Sequence, residues 1–108
     1  MREIRLVAAD TPRPALVLTR STAREYMRRV TVAPITSTIR GLTSEVEVGP
    51  ENGLDHRSVV SIDNTMTVGV EAIGRLVGYL LPHQEEALAR AVVLAFDLAA
   101  ALEDDSLP

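Results

Sequence analysis

The rhythm of apolar and polar positions changes near residue 81 of this chain. Before that point the apolar residues form short runs or alternate with polar ones. "EIRLVA" (3–8) alternates weakly, and "ALVLT" (15–19) is a continuous apolar run, as in a central strand buried on both faces. "VTVAPIT" (30–36) alternates and is β-branched, so it reads as a strand. Its Pro34 cannot donate to a ladder and predicts an edge or a bulge. "SEVEV" (44–48) puts Val46 and Val48 on one face, and "SVVSI" (58–62) and "RLVGYL" (75–80) complete the predicted strands. Between them lie a double-proline turn at "TPRP" (11–14) and a polar excursion with a helical turn at 20–28. A turn at 49–57 follows, with Asn52-Gly53 its strongest signal, and 69–74 fits one helical turn.

From residue 82 the period lengthens. Pro82 suits the first position of a helix, and Glu85 and Glu86 fall where the helix dipole favours acids. Leu88, Val92, Ala95, Leu98 and Leu102 recur every three or four residues and predict an apolar stripe. Short strands followed by one amphipathic helix predict a mainly β fold, a small antiparallel sheet or barrel with a C-terminal helix packed on it. No segment between the early strands is a long enough helix to make a parallel crossover. One domain is expected over residues 1–102, with a frayed acidic tail at 103–108.

Composition narrows the classes. At 108 residues the core is modest, so a second subunit that hides more surface would help. A hydrophobic fraction of 46% with 24% charged residues excludes disorder. With no Trp, two Tyr and one Phe, base stacking on aromatic platforms is disfavoured. Cysteine is absent, which removes disulfides, thiolate nucleophiles and Cys-ligated zinc. His56 and His83 have no ligand-spaced partners, so no metal site is expected. The first residues do not read as a signal peptide, and the apolar stretch 91–102 is too short to span a bilayer and contains Asp97. A cytoplasmic protein with no membrane association is expected.

Charge is uneven. All eleven basic residues are arginine, and the net charge is −4. Residues 13–40 hold six arginines against Glu25, a local net of +5, whereas residues 58–108 carry a net of −6. Such local polarity defines an anion-binding face on an acidic protein, or a solvated loop with scattered arginines. Within it lies the main candidate for chemistry. Arg13 precedes one strand, and Thr36, Ser37, Thr38 and Arg40 follow another. Paired strands would bring the two groups close. Guanidinium forks match phosphate oxygens and hydroxyls add neutral donors, although Thr36–Thr38 also fit a turn capped by its own hydroxyls. A Ser58–His56–Asp63 triad can be drawn on paper, but these residue types are too common to single it out.

These residues also carry a resemblance. "RPALVLT" (13–19), "VTVAPITSTIRGL" (30–42), "NGLDHRSVVSIDNTMTV" (52–68) and "RLVGYL" (75–80) before a closing helix resemble, in that order, the MazF/PemK toxin endoribonucleases. The resemblance covers most of residues 13–100. It implies the SH3-like small barrel of CcdB/PemK-type toxins, a homodimer and a MazE-like antitoxin partner. It implies metal-independent, cofactor-free cleavage of single-stranded RNA, with 2′,3′-cyclic phosphate and 5′-hydroxyl products. The family's arginine and threonine fall on Arg13 and Thr36, which would be catalytic. Arg20, Ser37, Thr38 and Arg40 would bind the RNA, and an acidic antitoxin segment would cover the 13–40 face. The alternatives are a gyrase-poisoning toxin of the same fold and a non-catalytic SH3-like interaction module.

Overall fold

The computed structural model describes residues 1–98, apart from the side chain of Ser21. It contains seven strands: β1 (Glu3–Val7), β2 (Arg13–Val17), β3 (Arg29–Thr36), β4 (Glu45–Val48), β5 (Ser58–Ser61), β6 (Met66–Gly69) and β7 (Ile73–Tyr79). Two helices accompany them, the one-turn α1 (Ser21–Arg24) and the longer α2 (Pro82–Ala95). The expected tail and Leu102 lie outside the described residues, as does the end of the expected domain.

All strand pairs are antiparallel. The ladder runs β4-β5-β3-β2-β1-β7, with β6 also on β3. No ladder joins β4 to β7, so the sheet curls without closing as a hydrogen-bonded barrel. Its centre is "ALV" of β2, where Ala15, Leu16 and Val17 are all buried. Alternate residues of a strand point to opposite faces. Leu16 joins Ile4, Ala33, Ile35, Val60 and Leu80 in one core, which Leu88 and Ala91 of α2 complete. Ala15 and Val17 join Val7, Val30 and Val32 in a second, smaller core on the other face.

Several expectations need correction. Residues 66–69 form a strand, β6, although Met66 and Thr67 are exposed and offer no burial pattern. Pairing with the first half of β3 holds them in place. A 3-10 turn does occupy Val70–Ala72, but β7 begins directly after it, at Ile73. Pro34 is not on an edge strand, because β3 is flanked on both sides. On one side Val32 pairs with Met66 of β6 and Ile35 with Val60 of β5. Pro34 sits where β3 exchanges one partner for the other, a position where a missing N–H costs no ladder bond. Finally, α2 stops at Ala95, so Leu98 lies beyond the helix and is exposed.

The gap between β4 and β7 is bridged by side chains. Asn52, 1% exposed, and Gln84, 7% exposed, form a reciprocal amide pair. Asn52 Nδ2 donates to Gln84 Oε1 (2.6 Å), and Gln84 Nε2 donates to Asn52 Oδ1 (3.2 Å). Each amide also makes two backbone bonds. Asn52 donates to the Tyr79 carbonyl (2.9 Å) and accepts from Gly49 N (3.0 Å). Gln84 donates to the Glu47 carbonyl (3.3 Å) and accepts from Leu81 N (2.9 Å). Beside the pair, Gly53 (φ 88°) and Gly78 let two backbones touch: a Cβ on Gly78 would lie 1.9 Å from the Asn52 carbonyl oxygen.

Gln84→Ala removes one amide and strands buried groups of the other. A buried polar group left without its partner costs about 1–3 kcal/mol. We expect the variant to lose about 2–4 kcal/mol, as a shifted urea midpoint with an unchanged slope. A loss under half a kilocalorie would show that the pair does not hold the gap.

Candidate active site

The β2–β3 register pairs Ala15 with Pro34, Leu16 with Ala33 and Val17 with Val32. Continued by two residues, it sets Arg13 opposite Thr36. On the other side of β3, Thr36 pairs with Val59, next to the start of β5. The end of β3 is therefore flanked by the starts of two strands. A cavity of about 260 Å³ opens there, lined by Arg13, Thr36, Ser37, Asp55, His56 and Ser58, among others. A second cavity of about 470 Å³ lies alongside, with Thr36, Thr38, Arg40, Glu45, Asp63 and Asn64 in its walls. Thr36 borders both.

The local chemistry of Thr36 combines both sequence readings. Its Oγ1 accepts a hydrogen bond from Thr38 N at 3.1 Å, the self-capped turn that hydroxyls favour at a strand end. That bond uses the oxygen as acceptor. The hydroxyl proton is left free to be donated into the cavity.

The loop after the turn is held by a carboxylate. Glu45 accepts from the backbone N–H of Arg40 (3.2 Å), Gly41 (2.9 Å) and Leu42 (3.1 Å). Gly41 has φ 76°, a left-handed conformation that glycine adopts without strain. This clasp fixes the backbone at Arg40 while its side chain stays exposed. Nearby, Ser44 Oγ donates to Asp63 Oδ2 at 2.5 Å, and Asn64 Nδ2 donates to Ser61 Oγ at 2.7 Å.

The arginines of residues 13–40 are divided by β3. Arg13 and Arg40 lie at its end. Arg20, Arg24, Arg28 and Arg29 lie at its start, roughly 20 Å away at 3.3 Å per residue. Arg20 lines a different cavity, with Arg2, Glu3, Arg24 and Glu85, so the fold does not bring it to Thr36. The expected single basic face is two separate patches. Arg24 is further committed to Glu3, at 2.5 Å. Hydrogen bonds from Arg5 first, and then Arg24, hold the Glu3 carboxyl below its ordinary range. Among the described residues, the side chains of Arg13, Arg20, Arg28, Arg29 and Arg40 make no ion pair or hydrogen bond. Arg2, Arg5, Arg57 and Arg90 all pair with acids.

His56 and Asp55, in the segment whose sequence marks a turn, line the first cavity. Their place in the cavity follows from the β3–β5 pairing, which no local spacing reveals. The paper triad does not assemble. Ser58 and His56 share the cavity, but Asp63 lines the other one and is taken by Ser44.

Residues 4–96 match the family of PemK-like, MazF-like toxins of type II toxin–antitoxin systems. The chain belongs to this family. Among MazF-like relatives, the protein is 54% identical over 98 residues to endoribonuclease MazF3 of Mycobacterium tuberculosis, covering 91% of this chain and 95% of the relative. A probable endoribonuclease of the same organism, MazF5, is 38% identical over 86 residues, 79% of each chain. Among solved structures, the M. tuberculosis toxin MazF-mt6 superposes with a TM-score of 0.87 at 53% identity, covering 89% of this chain and 97% of that one. A mycobacterial endoribonuclease in complex with its cognate antitoxin shares the fold, with a TM-score of 0.77 at 23% identity over 90% of this chain and 92% of that one. The PemK/MazF toxin fold is thus an antiparallel sheet with one C-terminal helix here as well, curled but open between β4 and β7.

Glu45→Ala removes the clasp on residues 40–42. The amides of Arg40, Gly41 and Leu42 should then exchange with deuterium roughly tenfold faster, as loss of about 1.4 kcal/mol of local protection implies. Unchanged exchange at all three would mean that the loop is held by something else.

Proposed function

We propose that this protein is a metal-independent endoribonuclease toxin that cuts single-stranded RNA in the groove around Thr36. The observation that carries the reading is the unpaired Arg13 guanidinium in one cavity with the free hydroxyl proton of Thr36. In metal-free cleavage the neighbouring 2′-hydroxyl attacks phosphorus and the bond to the 5′-oxygen breaks. The products are a 2′,3′-cyclic phosphate and a 5′-hydroxyl. Negative charge gathers on the phosphoryl oxygens in the transition state, and preorganised donors there supply much of the rate. Arg13 meets that charge with its fork, and Thr36 donates to the same group. Ser37 borders the first cavity, while Thr38 and Arg40 border the second, where the neighbouring nucleotide would lie. Bases would be read there by hydrogen bonds to Asp63 and with Asn64 and the hydroxyls, since the cavity offers no aromatic platform.

The antitoxin complex solved for a mycobacterial relative supports a cognate antitoxin for this chain. Such a partner would carry acids to Arg13 and Arg40 and occlude the groove, gaining charge-assisted bonds that weaken with salt. We place the protein in the cytoplasm, where its RNA and antitoxin would be made. None of the helices among the described residues is long and apolar enough to cross a membrane. We also assign a two-fold homodimer, which would cover apolar residues exposed along α2 such as Leu94.

The experiment is cleavage of a single-stranded RNA by purified protein. Arg13→Ala should lower the rate by about 10²–10³-fold with the fold intact, by analogy with loss of an oxyanion donor. Arg13→Lys should recover little, because an ammonium lacks the fork. Thr36→Ala should also slow the reaction, and EDTA should not. Full activity in Arg13→Ala, or its loss to a chelator, would sink the reading. Sedimentation should give twice the 11.7 kDa chain mass, and a single-chain mass at micromolar concentration would refute the dimer.

A further inference from the structure

We propose that His56 is the general base of this RNA cleavage, a role that rests on the ribonuclease reading above. The reaction must remove a proton from the 2′-hydroxyl. Neither central side chain does this well. An arginine stays protonated throughout the physiological range, and a threonine hydroxyl is a poor proton acceptor. Histidine is the side chain whose ordinary titration falls between about pH 5 and 8, where base catalysis is most effective.

The fold puts one histidine in the wall of the same cavity. His56 lines the 260 Å³ cavity together with Arg13 and Thr36. That volume has room for one phosphodiester group with its neighbouring ribose oxygens. The loop carrying His56 is anchored on both sides. Gly53 lies against the backbone of Val77 and Gly78, and Ser58 Oγ donates to the His56 carbonyl at 3.2 Å. The imidazole itself is exposed and has no hydrogen-bond partner among the described residues. The other charged groups are accounted for. Arg13 faces the cavity from β2 and Asp55 from the same loop as His56, while Arg57 is turned onto Glu47.

The step balances with solvent as the only co-reactant. A ring nitrogen of His56 takes the 2′-hydroxyl proton as the 2′-oxygen bonds to phosphorus. The bond from phosphorus to the 5′-oxygen breaks, and that oxygen takes a proton from water. The imidazolium then returns its proton to the resulting hydroxide. Arg13 holds the phosphoryl charge throughout, and Asp55 takes no proton.

The test is the pH profile of kcat/KM for cleavage of a single-stranded RNA. The native protein should lose activity as pH falls, along an acid limb of slope one. His56→Ala should cleave about 10²–10⁴-fold more slowly, without that limb, and added imidazole should restore part of the rate. Asp55→Asn should keep the limb. The proposal is overturned if His56→Ala keeps native rate and limb, if imidazole restores nothing, or if Asp55→Asn removes the limb instead. Thermal unfolding of His56→Ala alongside the native protein checks that the exposed side chain is not needed for folding. A native protein that cuts no RNA would overturn the ribonuclease reading itself, which the variants of an active protein cannot do.

Discussion

A pair of buried amides makes this open sheet behave as a closed one. A small curled sheet has two free edges, and its core is sealed only where those edges meet. Here they meet through Asn52 and Gln84, which tie the end of β4, the end of β7 and the first turn of α2 into one knot. All four polar atoms of the pair are satisfied. Buried polar networks are strong only in that condition, because each unpaired group would cost more than the bond it lost. With the knot in place α2 lies across the opening, and Leu88 and Ala91 reach the core.

The second consequence of the curl is the exchange of partners along β3. A flat sheet would give β3 one neighbour on each side. This one gives it β6 and then β5 on the same side, with Pro34 between them. The exchange brings the start of β5, and the loop before it, against Thr36. Arg13 comes to the same residue from β2. The groove is therefore built by three segments spread over more than forty positions of sequence, brought together by the ladders that flank β3.

How much of this was legible beforehand follows from what each feature depends on. Local rhythm was enough for β1, β3, β4, β5 and α2, whose apolar positions face a core. The meeting of Arg13 and Thr36 was legible as soon as β2 and β3 were taken as paired. Strand β6 was not legible, because its exposed Met66 and Thr67 leave no period and its ladder partner is β3, distant in sequence. Asn52 read as half of a turn signal. The turn is real, with Gly53 left-handed, but the side chain of Asn52 is a core residue whose partner lies 32 positions away. The arginine cluster misled in a similar way. Counted along the chain it is one patch, yet an eight-residue strand separates its members. Net charge within a sequence window says nothing about faces.

The contact between Gly53 and Gly78 also bears on the register of the last strand. The β1–β7 ladder is irregular, with register shifts on both sides of Arg5, so β1 alone sets the alignment of β7 loosely. A slip of β7 by one residue would bring the Cβ of Val77 or Tyr79 onto the Asn52 carbonyl. Only the one residue without a side chain at that point fits. The alignment of the last strand is thus chosen by steric exclusion against the turn at residue 53, and not by the β1 ladder alone.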